Sequence, residues 1–180
     1  EILTHLYALL ADRGNTKTSV RVYLPNYPQP DMPKETPFWH YRVVKPAKLW
    51  TFIGLPWALR RDMPAADVVF SPTHYIPRFT SIARAMSIMD ISYLSYPEMF
   101  TKKDLHQLVY WTKYAVRHAF RVFTISQFSK NAIIKAYGVP ENRVVITYPG
   151  LSIVRSQITM TKQDIIQKYR LSGHYILSVG

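Results

Sequence analysis

Residues 121–146, RVFTISQFSKNAIIKAYGVPENRVVI, contain two short apolar runs separated by one segment with helical character. Ser126 or Ser129 can cap the start of that helix, and Gly138 stands where a helix would end. The second run continues as RVVITYPG, residues 143–150. A strand, a helix and another strand in direct succession predict a βαβ unit with two parallel strands.

The same alternation extends towards the N-terminus. Apolar runs occupy residues 67–70 (DVVF) and 83–89 (ARAMSIM), and residues 101–120 carry apolar side chains at helical spacing. Continuous apolar runs of this kind are typical of strands that are buried on both faces of a parallel sheet. The sequence therefore predicts an α/β fold, a Rossmann-like parallel sheet with flanking helices.

The remaining segments are less regular. Residues 20–24 alternate like a strand. Residues 25–40, which follow, contain five prolines, and this predicts an irregular loop. Further predictions are a helix over 2–13, a helix over 46–62 in which Pro56 is a candidate break, a short helix near 161–170 and a strand over 174–180.

Composition excludes several classes of protein. Lys and Arg total 23 against 11 Asp and Glu, so the formal net charge is +12. Such a charge attracts phosphate groups of nucleic acid, anionic lipid or small molecules, or it is simply a solvated basic surface. The absence of cysteine excludes a disulfide framework and a thiolate site. No apolar run reaches the roughly 18–20 residues of a membrane span, and no glycine-rich phosphate loop occurs.

Ligands of open parallel sheets bind outside the carboxyl ends of the strands. The loops that follow the predicted strands bring polar groups and aromatic rings to that edge, most clearly in SIMDISYLSYPEMF, residues 87–100. This mixture favours a sugar site, because hydroxyls bind carboxylates and amides while sugar ring faces pack on aromatic rings. The candidates are Ser71, Thr73, His74, Tyr75, Asp90, Ser92, Tyr93, Glu98, Ser126, Gln127, Ser129, Tyr148 and Gly150.

Each candidate also has a purely structural interpretation. Asp90 can form a turn or cap a helix, and Ser126 can be only a helix cap. His74 can be an ordinary surface residue, and Tyr93 can anchor its loop rather than stack on a ligand. The histidines do not have the spacing of metal ligands, so no metal site is predicted.

The segments ADVVFSPTHYIP, SIMDISYLSYPEMFTKKD, AFRVFTISQFSKNAIIKAYGVPENRVVITYPG and YILSVG, in this order, resemble glycosyltransferases of the GT-B fold. The similarity is to family 4, the large family of retaining, nucleotide-sugar-dependent enzymes, and it runs from about Ala66 to Gly180. It implies the N-terminal half of a two-domain fold. Residues 1–172 would be a Rossmann-like acceptor-binding domain without its first strand, and residues 173–180 the first strand of a C-terminal donor-binding domain.

The resemblance implies transfer of a sugar, with retention, from a nucleotide sugar to a glycan or lipid-linked acceptor. The nucleotide sugar is a co-substrate, and no cofactor or metal is expected. Met89 stands where this family commonly has a His before the Asp. The implied site consists of Asp90 at the catalytic centre, His74, Tyr75, Tyr93 and Glu98 around the acceptor, and Ser126 and Gly150 near the donor.

The resemblance also carries expectations about partners and location. It implies a cytoplasmic enzyme with peripheral contact at the inner, anionic face of the membrane, through residues 101–120 or through the Trp- and Arg-containing residues 46–62. Residues 1–180 alone would be inactive, because the donor half is absent. Nucleic acid is not an expected partner. The alternative is a non-catalytic basic module that binds nucleic acid or an anionic membrane surface.

Overall fold

Parallel strands form two sheets in the computed structural model, which describes residues 2–12, 14, 17–150 and 161–172. The chain divides into two compact units, Glu1–Tyr148 and Pro149–Gly180. The strands are β1 (Val20–Leu24), β2 (Trp39–Val43), β3 (Val68–Ser71), β4 (Ala83–Ser87), β5 (Arg121–Thr124) and β6 (Val144–Ile146). The helices are α1 (Ile2–Asp12), α2 (Gly54–Arg61), α3 (Ser92–Ser95), α4 (Lys102–His118), α5 (Gln127–Tyr137) and α6 (Lys162–Tyr169).

The larger sheet has the strand order β3-β4-β5-β6, and each neighbouring pair is parallel. Because all four strands run the same way, their carboxyl ends meet at one edge. The smaller sheet is the parallel pair β1-β2. Parallel sheets with flanking helices confirm the predicted Rossmann-like α/β fold.

Helix α5 shows why the sequence between β5 and β6 folds as predicted. The Ser126 side chain caps its start by accepting a hydrogen bond from the Ser129 backbone N–H at 3.0 Å. Gly138 ends it in the left-handed conformation, with φ of 64°. This backbone geometry favours glycine, because a β-carbon would crowd the neighbouring carbonyl.

The hydrophobic core lies around β4 and β5 and the helices α4 and α5. Its central side chains have no exposed surface at all, which is the environment that the continuous apolar runs predicted. These fully buried side chains are Met86, Ile88, Val116, Val122 and Ile133.

Three sequence predictions need correction. Strand β3 is not buried on both faces, because Val68 and Phe70 are 48% and 43% exposed. The predicted loop over residues 25–40 overlaps β2, which begins at Trp39. Helix α2 begins only at Gly54, so Pro56 lies in its first turn, where proline is tolerated, and does not break it.

The C-terminal predictions are tested only in part. The predicted helix near residues 161–170 is present as α6, in the second unit. The predicted strand over residues 174–180 lies outside the described residues, and the predicted domain boundary after residue 172 remains a prediction. Among the helices that the structure describes, none combines the length and apolarity that crossing a bilayer requires.

Candidate functional site

The carboxyl edge of the four-stranded sheet carries most of the predicted site residues. His74 follows β3, Asp90 follows β4 and Ser126 follows β5, each two or three residues after the strand. The loop after β4 is fixed to β5 on this edge, because the Thr124 hydroxyl donates a hydrogen bond to the Met89 carbonyl at 3.5 Å. Adjacent strands therefore bring the His74 and Asp90 loops together.

Asp90 is exposed and has a defined local role. Its Oδ1 atom accepts a hydrogen bond from the Ser92 backbone N–H at 2.8 Å, which closes a turn at the start of α3. The hydrogen bonds from Ser92, and to a smaller extent the nearby His74, lower the pKa of the Asp90 carboxyl group. Asp90 is therefore an ionised carboxylate at neutral pH, and it is also the turn former that the structural interpretation predicted.

His74 is partly buried beside this carboxylate. Burial lowers the pKa of the His74 imidazole, and the negative charge of Asp90 acts in the opposite direction. Its Nδ1 atom is buried and has no hydrogen-bond partner within the part of the chain that the structure describes. The side chain is therefore a neutral imidazole at pH 7 with one free polar atom.

Tyr75 belongs to an aromatic cluster rather than to an open pocket wall. Its ring lies 5.2 Å from that of Trp111, which is 4.6 Å from Phe52, in both cases edge to face. The Tyr75 carbonyl accepts a hydrogen bond from the Ser71 hydroxyl at 2.5 Å, which fixes the loop after β3. Burial raises the pKa of the Tyr75 hydroxyl, and so does the neighbouring Asp104.

Tyr93 lies in the core, and because the residue is only 2% exposed it cannot contact an acceptor substrate. Its hydroxyl is hydrogen-bonded to that of Tyr137 at 2.6 Å. Burial raises the pKa of Tyr93, and the neighbouring Thr112 and Tyr137 hydroxyl groups partly offset this effect. The structure thus places Tyr93 as a loop anchor rather than in the predicted acceptor-binding group.

The remaining predicted residues differ in their surroundings. Glu98 is exposed on a single turn of 3₁₀ helix, Pro97–Met99, beyond α3. Ser126 is engaged as the cap of α5, and its hydroxyl donates to the Ser129 hydroxyl at 3.1 Å. Gly150 belongs to the second unit, and the candidates at the sheet edge belong to the first.

Exposed apolar side chains accompany the polar ones at this edge. Met89 is 45% exposed, Tyr148 is 73% exposed and Phe128, in the first turn of α5, is 83% exposed. Sequence reasoning missed Phe128 as a site residue. The available signal was a large aromatic residue two positions after the capping serine Ser126, where a buried ring is not needed to form the helix.

Two open grooves lie elsewhere in the first unit. One, of about 600 Å³, runs beside β6 and is lined by Lys130, Glu141 and Val145, among others. The second, of about 530 Å³, is lined by Arg60 and Phe79 and the residues leading into β4. Across the described residues, no group of three or more His, Asp or Glu side chains is arranged to hold a metal ion.

The fold and this edge define an α/β protein with a Rossmann-like sheet and a carboxylate–imidazole pair at its carboxyl end. Comparisons with protein-family models, with curated proteins and with solved structures each found no match. The functional argument consequently rests on the residues themselves.

Proposed function

We propose that this chain is the acceptor-binding part of a retaining, nucleotide-sugar-dependent glycosyltransferase. The observation that carries the proposal is the position of Asp90 and His74 on adjacent loops at the carboxyl edge of a parallel sheet, near enough for each to affect the pKa of the other. That edge is where folds of this class bind their ligands. The sequence resemblance to family 4 enzymes of the GT-B fold supplies the reaction type.

Asp90 would position a sugar hydroxyl. An ionised carboxylate can accept about four hydrogen bonds. The turn at Ser92 occupies Oδ1 with a backbone bond, and the exposed side chain retains acceptor sites for a ligand. Charge-assisted hydrogen bonds to hydroxyl groups are short and directional, so they fix the orientation of a sugar ring.

His74 would complement the carboxylate as a neutral group. An uncharged imidazole has one nitrogen that donates and one that accepts a hydrogen bond, and a ligand hydroxyl would contact Nε2, because Nδ1 is buried. Its buried Nδ1 is free of partners among the described residues. The pair therefore offers an anionic acceptor and a neutral donor–acceptor next to each other, which suits a polyhydroxylated ligand.

The exposed apolar side chains would bind the ring faces. Phe128 lies in the first turn of α5, after β5; Tyr148 follows β6, and Met89 precedes Asp90 directly. Sugar rings present C–H faces that pack on aromatic and thioether groups. Polar contacts from His74 and Asp90 combined with apolar contacts from these three residues match the two sides of a sugar.

Sugar transfer by the complete protein that contains this chain tests the proposal. A panel of radiolabelled nucleotide sugars with glycan and lipid-linked acceptors should yield a product that retains the anomeric configuration of the donor. Residues 1–180 alone should transfer no sugar, because the donor-binding part lies outside them. Turnover by residues 1–180 would contradict the assignment to the acceptor half.

The basic charge of the chain favours one alternative function. The net charge of +12 favours a basic module that binds nucleic acid without catalysis. Binding to random oligonucleotides at physiological ionic strength, with an affinity that falls steeply as salt is added, would support it. The sugar-transfer proposal predicts only weak binding under these conditions.

A further inference from the structure

One exposed side of helix α4 carries mainly cations, imidazoles and phenol rings. Its residues recur at spacings of three and four, which places them on the same side of a helix. We call this surface the α4 face, and it consists of the exposed residues Lys103, His106, Tyr110, Lys113, Arg117 and His118. The opposite side of α4 enters the core through Thr112, Ala115 and Val116.

The rings along this side of the helix are arranged in pairs. The His106 and Tyr110 ring centroids lie 4.4 Å apart, and those of the half-buried Tyr114 and His118 lie 4.0 Å apart with nearly parallel planes. The His118 Nδ1 atom donates a hydrogen bond to the Tyr114 carbonyl at 2.8 Å, so Nε2 is the nitrogen that remains for a ligand. The row from His106 to His118 is about 18 Å long, as follows from the helical rise per residue. A row of this length suits a chain of several units rather than one small molecule.

The α4 face is basic. Lys103, Lys113 and Arg117 are exposed on it, and the ion pairs found among the described residues involve none of these three. Asp104 is the single acid of α4, and it is engaged at the start of the helix, where its carboxylate accepts a hydrogen bond from the Thr101 hydroxyl at 2.7 Å. Three cations on one side of a helix, without a counter-charge from that helix, favour an anionic ligand.

The ring contacts disfavour nucleic acid as this ligand, because bases stack on free ring faces. Both faces of the Tyr114 ring are occupied. The His118 ring and the Arg78 guanidinium lie 4.0 and 4.1 Å from the Tyr114 centroid, and two groups this close to one centroid must lie on opposite faces. Tyr110, which is 59% exposed, retains an open face beside His106. The α4 face therefore offers hydrogen-bonding groups, cations and one open phenol ring rather than a run of stacking surfaces.

The aliphatic side chains of α4 point to a water-soluble anion rather than a bilayer. A helix that lies on a membrane places aliphatic and aromatic side chains in the boundary between headgroups and acyl chains. In α4 the residues Leu105, Leu108 and Val109 pack against the core instead. The α4 face consequently has no aliphatic side chain to transfer from water into hydrocarbon, which is the main source of free energy for such insertion.

We propose that the α4 face binds an acidic polysaccharide, a glycan chain whose sugar rings carry carboxylate groups. Lys113 and Arg117 bind the carboxylates, and a guanidinium group does so through two parallel hydrogen bonds. The open face of Tyr110 packs on the C–H face of a sugar ring. The imidazoles of His106 and His118 bind hydroxyl groups. An acidic peptide would supply carboxylates but neither the hydroxyls nor the ring face, so it matches only the cations.

Fluorescence anisotropy with labelled oligosaccharides tests the proposal, and it does not depend on the proposed sugar transfer because no donor is present. A fluorescein-labelled decamer of galacturonic acid should bind the chain, and a labelled decamer of galactose, which lacks the carboxylates, should not. Unlabelled decamers of glutamate and of uridylate should displace the bound probe less effectively than unlabelled oligogalacturonate. Absence of binding, equal binding of the galactose decamer, or equal displacement by the peptide or the RNA would overturn the proposal.

A pair of ring variants locates the bound glycan. Tyr110→Ala removes the open phenol ring and should weaken binding of the galacturonic acid decamer by about fivefold. Tyr27→Ala is the matched control, because it removes a ring that is 82% exposed and lies outside α4. It should leave the affinity unchanged. Both variants should keep the wild-type midpoint of urea denaturation, and wild-type affinity in Tyr110→Ala would contradict the assigned role of its ring.

Charge variants separate the α4 face from general attraction to a basic protein. Lys113→Gln with Arg117→Gln lowers the net charge from +12 to +10, and so does the control Lys34→Gln with Lys48→Gln, at exposed residues outside α4. The α4 pair should weaken binding of the galacturonic acid decamer by about tenfold, and the control pair by less than about twofold. Equal losses in the two pairs would show that only the net charge attracts the glycan and would overturn the proposal.

Discussion

The hydroxyl oxygens of Tyr93 and Tyr137 lie 2.6 Å apart in the core, although 44 positions separate them in the sequence. Tyr93 belongs to α3, which begins two residues after Asp90, and Tyr137 ends α5, whose start is capped by Ser126. The hydrogen bond therefore connects α3, which follows the Asp90 loop, to α5, which follows the Ser126 loop. Buried hydroxyl groups of this kind are costly when they lose their partner.

Removal of one hydroxyl from this pair should destabilise the protein. Tyr137→Phe leaves the Tyr93 hydroxyl without this partner, and the free energy of unfolding should fall by about 1–2 kcal/mol. The double variant Tyr93→Phe with Tyr137→Phe should lose clearly less than the sum of the single changes, because neither hydroxyl is then left alone. Urea denaturation measures both values. The control Tyr110→Phe, at a ring that is 59% exposed, should leave the free energy of unfolding unchanged. Strictly additive losses in the Tyr93 and Tyr137 variants would contradict a direct hydrogen bond between the two hydroxyl groups.

Asp62 connects α2 to the smaller sheet. Its carboxylate accepts a hydrogen bond from the Tyr23 hydroxyl at 2.7 Å and lies 2.8 Å from the Arg42 guanidinium, although the latter pair is not aligned for a hydrogen bond. Asp62→Ala should lower the free energy of unfolding by about 1–2 kcal/mol, since it removes the acceptor of the Tyr23 hydrogen bond and the counter-charge of Arg21 and Arg42, whose side chains are 27% and 47% exposed. Thermal unfolding measures the change. Asp67→Ala, at an exposed acid, is the control and should change stability by less than about 0.5 kcal/mol.

The electrostatic link between His74 and Asp90 can be measured directly. The negative charge of Asp90 raises the pKa of His74 against the larger effect of burial. Asp90→Asn should therefore lower the His74 pKa further, and an NMR titration of the imidazole protons would show it. Glu98→Gln should leave that pKa where it is. An unchanged His74 pKa in the Asp90→Asn variant would show that the two residues do not form a pair.

The same imidazole predicts how stability depends on pH. The pKa of His74 is lower in the folded protein than in the unfolded chain, where it is about 6.5. Below that pH the unfolded state binds the proton more readily, so stability falls as the pH falls towards the folded-state pKa. The His74→Gln variant should lose less stability than the wild type between pH 7 and pH 5 in urea denaturation. If the free energy of unfolding depended on pH in the same way in both proteins, this would contradict the lowered pKa of His74.

Local patterns predicted much of this fold. Continuous apolar runs located β4, β5 and β6, and a serine and a glycine marked the ends of α5. The start of β2 is not evident from the sequence, because a proline-rich segment runs up to its first residues, although WHYRV alternates between more buried and more exposed positions. The sequence leaves open whether Pro56 breaks α2, because proline is tolerated in the first turn of a helix and the starting residue of this helix has no clear signal.

The candidate site was less predictable than the fold. Asp90 and His74 could be placed together because parallel strands bring their loops to one edge. Tyr93 could not be recognised as a core residue, because its burial depends on Tyr137, a partner distant in sequence. The ion pairs of Asp62 with Arg21 and Arg42 are equally non-local. Long-range contacts of this type leave no periodic signal in a single sequence.

The most direct test of the proposed function compares Asp90→Asn with Asp90→Ala in the complete protein, for transfer of sugar from its preferred nucleotide sugar. Asparagine keeps an oxygen that can accept the bond from Ser92 but removes the charge, whereas alanine removes both. The account predicts that kcat/KM falls by about 100-fold in Asp90→Asn while the melting temperature stays close to that of the wild type. Wild-type kcat/KM in Asp90→Asn, with a lowered melting temperature only in Asp90→Ala, would show that Asp90 is a turn former and contradict its role in sugar transfer.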